Sequence, residues 1–372
     1  MKDNKKIMIY PFDGESLEMV RYSELLKDGD ILYAIAPNGW GTIGKDVSCV
    51  NNYKEIGMVI DNDFHKILKK IDVVFFNEPR VSIDVDSLIY PKIIKAAKEA
   101  KDIICTIQLD NKIVEEIEEI CAENNRTFKY FKKDDKINVF SGEENIYTID
   151  TPIVFVSGLS ERTNKFDIQL GLRKKLLKKG YKVAQIGTKN YCELIGFHSF
   201  PQFMFSSVIS ESRKVFLFNQ YVKMIEIEEK PDIMIIGVPG GIMPYNKEFP
   251  NEFGILAFEI SQAVLPDFSI VSVLYDDFKP ELFNLLFTSC KYKLGYETDC
   301  FNVSNASVNH LESKFRRKLS YVNIDAKYIN EKKIKYKDLS MPVYNLLDEE
   351  ELNEMTDFLI NRLSGYGEKQ YV

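Results

Sequence analysis

The sequence has few histidines, no paired-cysteine motif and no long apolar run. No apolar stretch approaches the ~18 residues that a membrane-spanning helix needs, and no secretory signal pattern is present. The six cysteines are widely separated and form no CxxC pair, which argues against an iron–sulfur cluster or a structural zinc site. We therefore predict a cytoplasmic protein with reduced thiols and no membrane partner.

A basic face is also missing. The net charge is -7, and acidic and basic residues alternate along the chain. General nucleic-acid binders need a concentrated positive surface, so this class is not expected. The chain has 372 residues and an ordinary globular composition, which predicts two domains or one large one.

The first part of the sequence alternates short apolar runs with segments of helical periodicity. Strands are predicted at 6–10, 31–36, 73–77, 103–108 and 127–131, and helices at 17–26, 64–70 and 90–100. Near-continuous apolar strands between helices indicate a parallel sheet that is covered on both faces. Two strand ends, 37–41 and 77–79, are simple turns or ligand-binding loops. A charged stretch at 132–136 and a polar one at 140–150 place the domain boundary after residue 145.

The second part, 146–372, has the same alternation. Strands are predicted at 151–158, 181–186, 232–238, 269–275 and 301–304, and helices at 165–179, 200–229, 308–319 and 348–363. The predicted fold is α/β, with two Rossmann-like three-layer domains and mainly parallel sheets.

A glycine at the end of the strand 151–158 begins the candidate phosphate loop, residues 158–165. A strand, a glycine, a loop, a lysine and then a helix is the order found in P-loops, whose backbone N–H groups and lysine hold phosphate. A glycine pair follows the strand 232–238 and predicts close backbone approach to a ligand, or a plain turn. The predicted ligand contacts are Gly158, Ser160, Glu161, Arg162, Thr163, Asn164, Lys165, Gly240 and Gly241.

This loop resembles the opening of dethiobiotin-synthetase-like P-loop proteins, whose lysine lies at the same distance from the first glycine. The resemblance implies ATP or another nucleotide as the ligand. Three residues depart from that pattern: Asn164 replaces a glycine, Phe166 replaces the hydroxyl residue that holds Mg²⁺, and Gly237 replaces an acidic residue. The second domain is therefore predicted to be a degenerate P-loop domain, with no metal site assigned and the need for Mg²⁺ left open.

A second resemblance covers most of the chain. It is carried by Gly158-Leu159-Ser160-Glu161, the Lys165-Phe166-Asp167 segment, Gly196-Phe197-His198 and Gly237-Val238-Pro239-Gly240-Gly241. In these segments the chain is similar to peptide-maturation-system proteins encoded beside radical-SAM enzymes in clostridial peptide clusters. The resemblance implies a role in making a ribosomally synthesised, modified peptide. It also implies a precursor peptide and a radical-SAM enzyme as partners.

Several other residues have two possible roles. His198, in a loop between aromatic residues, is a packed histidine or a catalytic base. The aromatic stretch 203–221 is core, or it is a homodimer or partner face. Asp276 and Asp277 are solvated or hold a metal, Lys189 is a turn residue or adds charge beside the loop, and Glu259 is expected on the surface.

Three functions follow from these patterns. The first is a nucleotide-dependent maturation enzyme. The second is a non-enzymatic module that binds a peptide or a partner and retains only the P-loop fold. The third is an acyltransferase whose loop holds a coenzyme A phosphate. Whether the protein is an enzyme is left open by the sequence.

Overall fold

Near-continuous apolar runs become the strands of two parallel sheets in the computed structural model, which describes residues 4–27, 29–51, 53–131 and 144–366. The chain divides into an N-terminal domain, residues 1–134 with 193–196, and a C-terminal domain, residues 135–192 with 197–372. The charged stretch 132–136 lies outside the described residues. The predicted boundary after residue 145 stays a prediction.

Apolar residues dominate the strands of the N-terminal domain. Its strands are β1 (Lys6–Tyr10), β2 (Asp30–Ile35), β3 (Ile60–Asp61), β4 (Val73–Phe76), β5 (Asp102–Cys105) and β6 (Phe128–Tyr130). Its helices are α1 (Leu17–Arg21), α2 (Phe64–Leu68), α3 (Tyr90–Lys98) and α4 (Asn111–Glu123). The strands pair in parallel in the order β3-β2-β1-β4-β5-β6, which is the doubly wound order of Rossmann domains.

The doubly wound order places a topological switch point between β1 and β4, outside their carboxyl ends. Side chains of the domain itself occupy this position. The Arg80 backbone N–H donates to Asp13 Oδ2 at 2.6 Å, and Arg80 Nε donates to Glu15 Oε1 at 2.9 Å. A Cβ added to Gly14 would lie 2.5 Å from the Arg80 guanidinium carbon. The residues that follow β1 therefore form an ion-paired corner instead of a glycine-rich phosphate loop.

The C-terminal domain repeats the alternation on a larger scale. Its strands are β7 (Ile153–Gly158), β8 (Val183–Gly187), β9 (His198–Ser199), β10 (Ile233–Gly237), β11 (Phe268–Val273), β12 (Cys300–Val303), β13 (Ala306–Val308), β14 (Tyr321–Asn323) and β15 (Val343–Tyr344). Its helices are α5 (Lys165–Lys178), α6 (Glu211–Glu229), α7 (Ile255–Ala263), α8 (Glu281–Ser289), α9 (His310–Arg316), α10 (Ala326–Lys332) and α11 (Glu349–Tyr366).

Seven of these strands form one parallel sheet in the order β15-β12-β11-β7-β10-β8-β9, whereas β13 and β14 form an antiparallel hairpin. Helices α5 and α11 cover one face of the sheet through residues such as Leu172 and Met355. Helices α6, α7 and α8 cover the other face through residues such as Phe218 and Phe283. The structure thus confirms the predicted α/β fold class with its two mainly parallel sheets.

Two predicted helices are shorter than expected. The segment 200–229 begins with a short 3-10 turn, and α6 starts only at Glu211, where the Ser210 hydroxyl accepts the Arg213 N–H. In the segment 308–319, Val308 belongs to β13 because Asn309 caps the following helix. Helix propensity alone does not predict that these polar capping residues set the start of each helix.

Within the part of the chain that the structure describes, no helix combines the length and the apolar character that crossing a bilayer requires.

Candidate phosphate-binding site

The candidate phosphate loop leaves the carboxyl end of β7, the central strand of the C-terminal sheet. β7 pairs with β10 on one side and with β11 on the other, so the direction of winding reverses around it. In open α/β sheets, ligands bind outside the strand ends at such a reversal. Helix α5 begins directly after the loop and directs its amino terminus toward it.

The backbone of the loop exposes a set of hydrogen-bond donors. Arg162 and Asn164 have φ angles of 59° and 58°, in the left-handed region. Among the described residues, none accepts a hydrogen bond from the backbone N–H groups of residues 160–164. Ser160 and Thr163 are buried, whereas Glu161 and Arg162 are exposed. Alternating right- and left-handed residues form anion-binding nests. The loop therefore has the donors and the turn geometry of an anion cradle.

Hydrogen bonds from β11 and from the end of β12 hold the loop in this shape. The Ser272 hydroxyl donates to the Thr163 carbonyl at 2.5 Å, and Asn302 Nδ2 donates to the Ser272 hydroxyl at 2.6 Å. The Asn305 N–H donates to Asn164 Oδ1 at 3.0 Å. These hydrogen bonds, two of them buried, fix the loop from β11 and from the end of β12, so its donors are pre-organised.

Lys165 starts α5, and its side chain is buried at 8% exposure. Its ammonium donates to the Gly240 carbonyl oxygen. Burial lowers the pKa of Lys165 to about 8, against the opposing effect of the Glu161 carboxylate. An anion in the loop would restore the charged form, because an opposite charge favours protonation of the amine.

The glycine pair 240–241 borders the loop, and its predicted approach to a ligand stays a prediction. Gly240 has a φ of +68°, and a Cβ added to Gly241 would lie 2.7 Å from the Leu159 carbonyl oxygen. Asn251 Nδ2 donates to the same Leu159 oxygen at 3.1 Å. Only glycine at 241 therefore allows the segment after β10 to contact the start of the loop.

The positions that would hold Mg²⁺ in a P-loop are filled differently. The Phe166 ring is buried and packs edge-on against Tyr191, with centroids 6.1 Å apart. A Cβ added to Gly237 would lie 2.5 Å from the amide carbon of Gln169. The Gln169 amide thus occupies the space beside β10 where a carboxylate would project.

No family model and no curated protein matches the chain. Among solved structures, a DUF1611 family protein from Anabaena variabilis has a TM-score of 0.63 and 11% identity, and the match covers 96% of this chain and 100% of that one. This likeness supports the two-domain fold. An NAD-binding protein from Listeria innocua matches with a TM-score of 0.27 and 11% identity, over 50% of this chain and 44% of its own.

His198 lies away from the loop. It belongs to β9, and β8 and β10 separate that strand from β7, which places it roughly 14 Å away across the sheet. Its Nε2 lies 2.5 Å from Glu229 Oε1, at the end of α6, and its ring meets Tyr221 edge-on. The structure therefore does not bring His198 together with the predicted phosphate contacts, and a catalytic role for it stays a prediction.

Glu259 was expected on the surface, and that expectation is wrong. Its side chain on α7 is only 3% exposed. Burial, and then hydrogen bonding to Glu211, raises the pKa of Glu259 to about 8. The sequence could not show that α6 packs over this face of α7.

Asp276 and Asp277 follow β11, and Asp277 pairs with Lys335. Within the described ranges, no group of three or more His, Cys, Asp or Glu side chains could hold a metal ion. In the stretch 203–221, the side chains of Phe203, Leu217 and Phe218 are buried within the domain. They belong to the core, which was one of the two interpretations of that stretch.

Sequence reasoning missed the residues that support the loop. Ser272 and Asn302 lie inside buried strands and are separated from the loop by more than a hundred positions. Their signal was a polar residue inside an otherwise apolar strand, since such a residue needs a hydrogen-bond partner when buried.

Proposed function

We propose that the C-terminal domain binds the phosphate of a nucleotide or of a related cofactor at the loop 158–165. The supporting observation is the set of N–H groups at 160–164 that have no acceptor among the described residues. Lys165 and the amino terminus of α5 add positive potential at the same place. Gly240 and Gly241 border the ligand on the β10 side.

The use of that ligand rests on the resemblance described above. We propose that binding serves the maturation of a ribosomally synthesised peptide in the cytoplasm, with the precursor peptide and a radical-SAM enzyme as partners. The six cysteines are all free, which suits a reducing compartment.

Calorimetric titration tests the binding proposal. ATP, ADP, GTP and coenzyme A are titrated into the full-length protein, and the series is repeated with Lys165→Ala. We expect micromolar binding that the variant loses, whereas Lys178→Ala on the exposed end of the same helix keeps it. Absence of binding by all of these compounds and by AMP would contradict the proposal.

A second function, a non-enzymatic peptide- or partner-binding module, is favoured by Phe166 and by Gly237. Both replace groups that P-loop enzymes use for Mg²⁺. Pull-down of the precursor peptide separates the two functions. Retention of the peptide by Lys165→Ala supports the binding module, whereas retention that requires a nucleotide supports the first function. Binding of coenzyme A in preference to ATP would instead favour an acyltransferase.

A further inference from the structure

Gln169 is an unusual residue for the interior of a protein. Its side chain is fully buried, and neither Nε2 nor Oε1 has a hydrogen-bond partner among the described residues. It follows Lys165 by one turn of α5 and lies against Gly237, at the carboxyl end of β10. Buried amides are almost always paired, and the unpaired amide of Gln169 is carried one helical turn after the lysine of the candidate loop, where a bound phosphate would supply a partner.

The formal charges of the residues around the loop restrict how much negative charge the missing partner of Gln169 can carry. Residues 158–167 carry two acidic side chains, Glu161 and Asp167, and two basic ones, Arg162 and Lys165, so their formal charges cancel. The Arg162 guanidinium lies 5.3 Å from the ring centroid of Tyr321. A nucleoside triphosphate depends on Mg²⁺ to neutralise its phosphates. A phosphate monoester or diester carries less negative charge than a triphosphate and therefore depends less on Mg²⁺.

We propose that this site binds a phosphate monoester or diester without a divalent cation, and that the Gln169 amide replaces the metal as the contact on the β10 side. The amide Nε2 would donate directly to a phosphate oxygen. This inference rests on the proposed function, since it requires the loop to bind phosphate.

The test uses AMP and Mg²⁺–ATP as probes on the full-length protein. Calorimetry in EDTA and in MgCl₂ is expected to give AMP affinities that agree within about twofold. Mg²⁺–ATP is expected to bind more weakly than AMP. AMP binding that requires Mg²⁺ would overturn the inference and leave the proposed function in place. Absence of binding by both probes would overturn the two together.

Gln169→Met separates a ligand contact from a packing role. Methionine has a similar shape and removes two unpaired polar atoms, so the variant should fold at least as stably as the wild type. The AMP affinity in EDTA is expected to fall about tenfold, because a hydrogen bond to a charged group is lost. An unchanged affinity in this folded variant would overturn the role of Gln169.

Gln185 provides the matched control. It is a second fully buried glutamine with no partner for either amide atom among the described residues, and it lies on β8. Like Gln169→Met, the Gln185→Met variant is expected to fold at least as stably as the wild type. Unlike Gln169→Met, it is expected to leave the AMP affinity unchanged. An equal loss of affinity in both variants would show that it arises from repacking, which contradicts the proposed contact.

Discussion

Lys165 donates its hydrogen bond to the carbonyl oxygen of Gly240, and so joins the first turn of α5 to the segment that follows β10. In this structure the ammonium is held by a neutral partner inside the protein. Burial of this ammonium lowers its pKa, which makes the charge of Lys165 dependent on pH and on the occupant of the loop.

Replacing Lys165 with methionine should change how stability depends on pH. The pKa of Lys165 is about 8 in the folded protein, whereas its ordinary value, which applies to the unfolded chain, is 10.5. Between these two values the unfolded chain binds more protons, so the free energy of unfolding rises with pH there. Lys165→Met should remove this rise and stabilise the protein near neutral pH by roughly 2–4 kcal/mol. Urea denaturation at several pH values measures both effects, and a variant that keeps the wild-type slope would contradict the assignment.

Ligand binding should be linked to proton uptake. An anion in the loop raises the pKa of Lys165, so a proton is taken up when binding occurs near or above pH 8, and the affinity decreases at higher pH. Calorimetry of the same ligand in two buffers with different heats of ionisation measures the proton count. Equal heats in both buffers would show that Lys165 does not respond to the ligand.

Ser272→Ala should loosen the loop from a distance. The change leaves the Thr163 carbonyl and Asn302 Nδ2 without their buried hydrogen-bond partner. We expect a loss of roughly 1–3 kcal/mol in the free energy of unfolding, together with weaker phosphate binding. The matched control is Ser269→Ala on the same strand, because the Ser269 hydroxyl has no partner among the described residues. Equal destabilisation by both changes would argue against the support described above.

The glycine pair should respond unequally to alanine. In Gly240→Ala the added Cβ has no atom within 4 Å. The alanine must adopt a φ of +68°, which costs about 1 kcal/mol. Gly241→Ala places a Cβ 2.7 Å from the Leu159 carbonyl oxygen and must displace the start of the loop. We expect Gly241→Ala to abolish phosphate binding and Gly240→Ala to retain most of it. Titration of the two variants checks this order, and the reverse order would refute it.

Glu259→Gln should stabilise the protein in mildly alkaline solution. The pKa of Glu259 is raised to about 8, so the folded state holds an extra proton between pH 4.5 and 8. Stability from this group is complete below pH 4.5 and is lost as the pH rises through 8. The variant should lose this dependence and exceed the wild type by roughly 1–3 kcal/mol above pH 8. Melting temperatures over this pH range, with the exposed Glu228→Gln as control, provide the check.

Much of the fold was predictable because its strands are buried on both faces. The apolar run that forms β7 and the periodic helix α5 are local patterns, and the glycine and lysine between them define the loop by spacing alone. Strand order was not predictable, because pairing of β7 with β10 and β11 depends on packing between distant segments.

The candidate site was predictable only where residues follow the ends of β7 and β10. Gly158, Lys165 and the glycine pair follow strand ends, so their positions could be read from the sequence. Ser272 lies in the interior of a strand and Gln169 in the interior of a helix, and a polar residue at such a position indicates that it needs a partner but does not show which one. For His198, the sequence could not show that two strands lie between it and the strand that carries the loop.

The central position of β7 has a consequence for the order of folding. Both of its neighbours, β10 and β11, lie far downstream, so they leave the ribosome long after β7 and its loop. Contacts of this sequence separation form slowly, since a long chain segment must first be closed. The phosphate loop therefore acquires its shape only when synthesis of the domain is nearly complete. A chain truncated before β11 would retain the whole glycine–lysine motif and still lack the structure that binds phosphate.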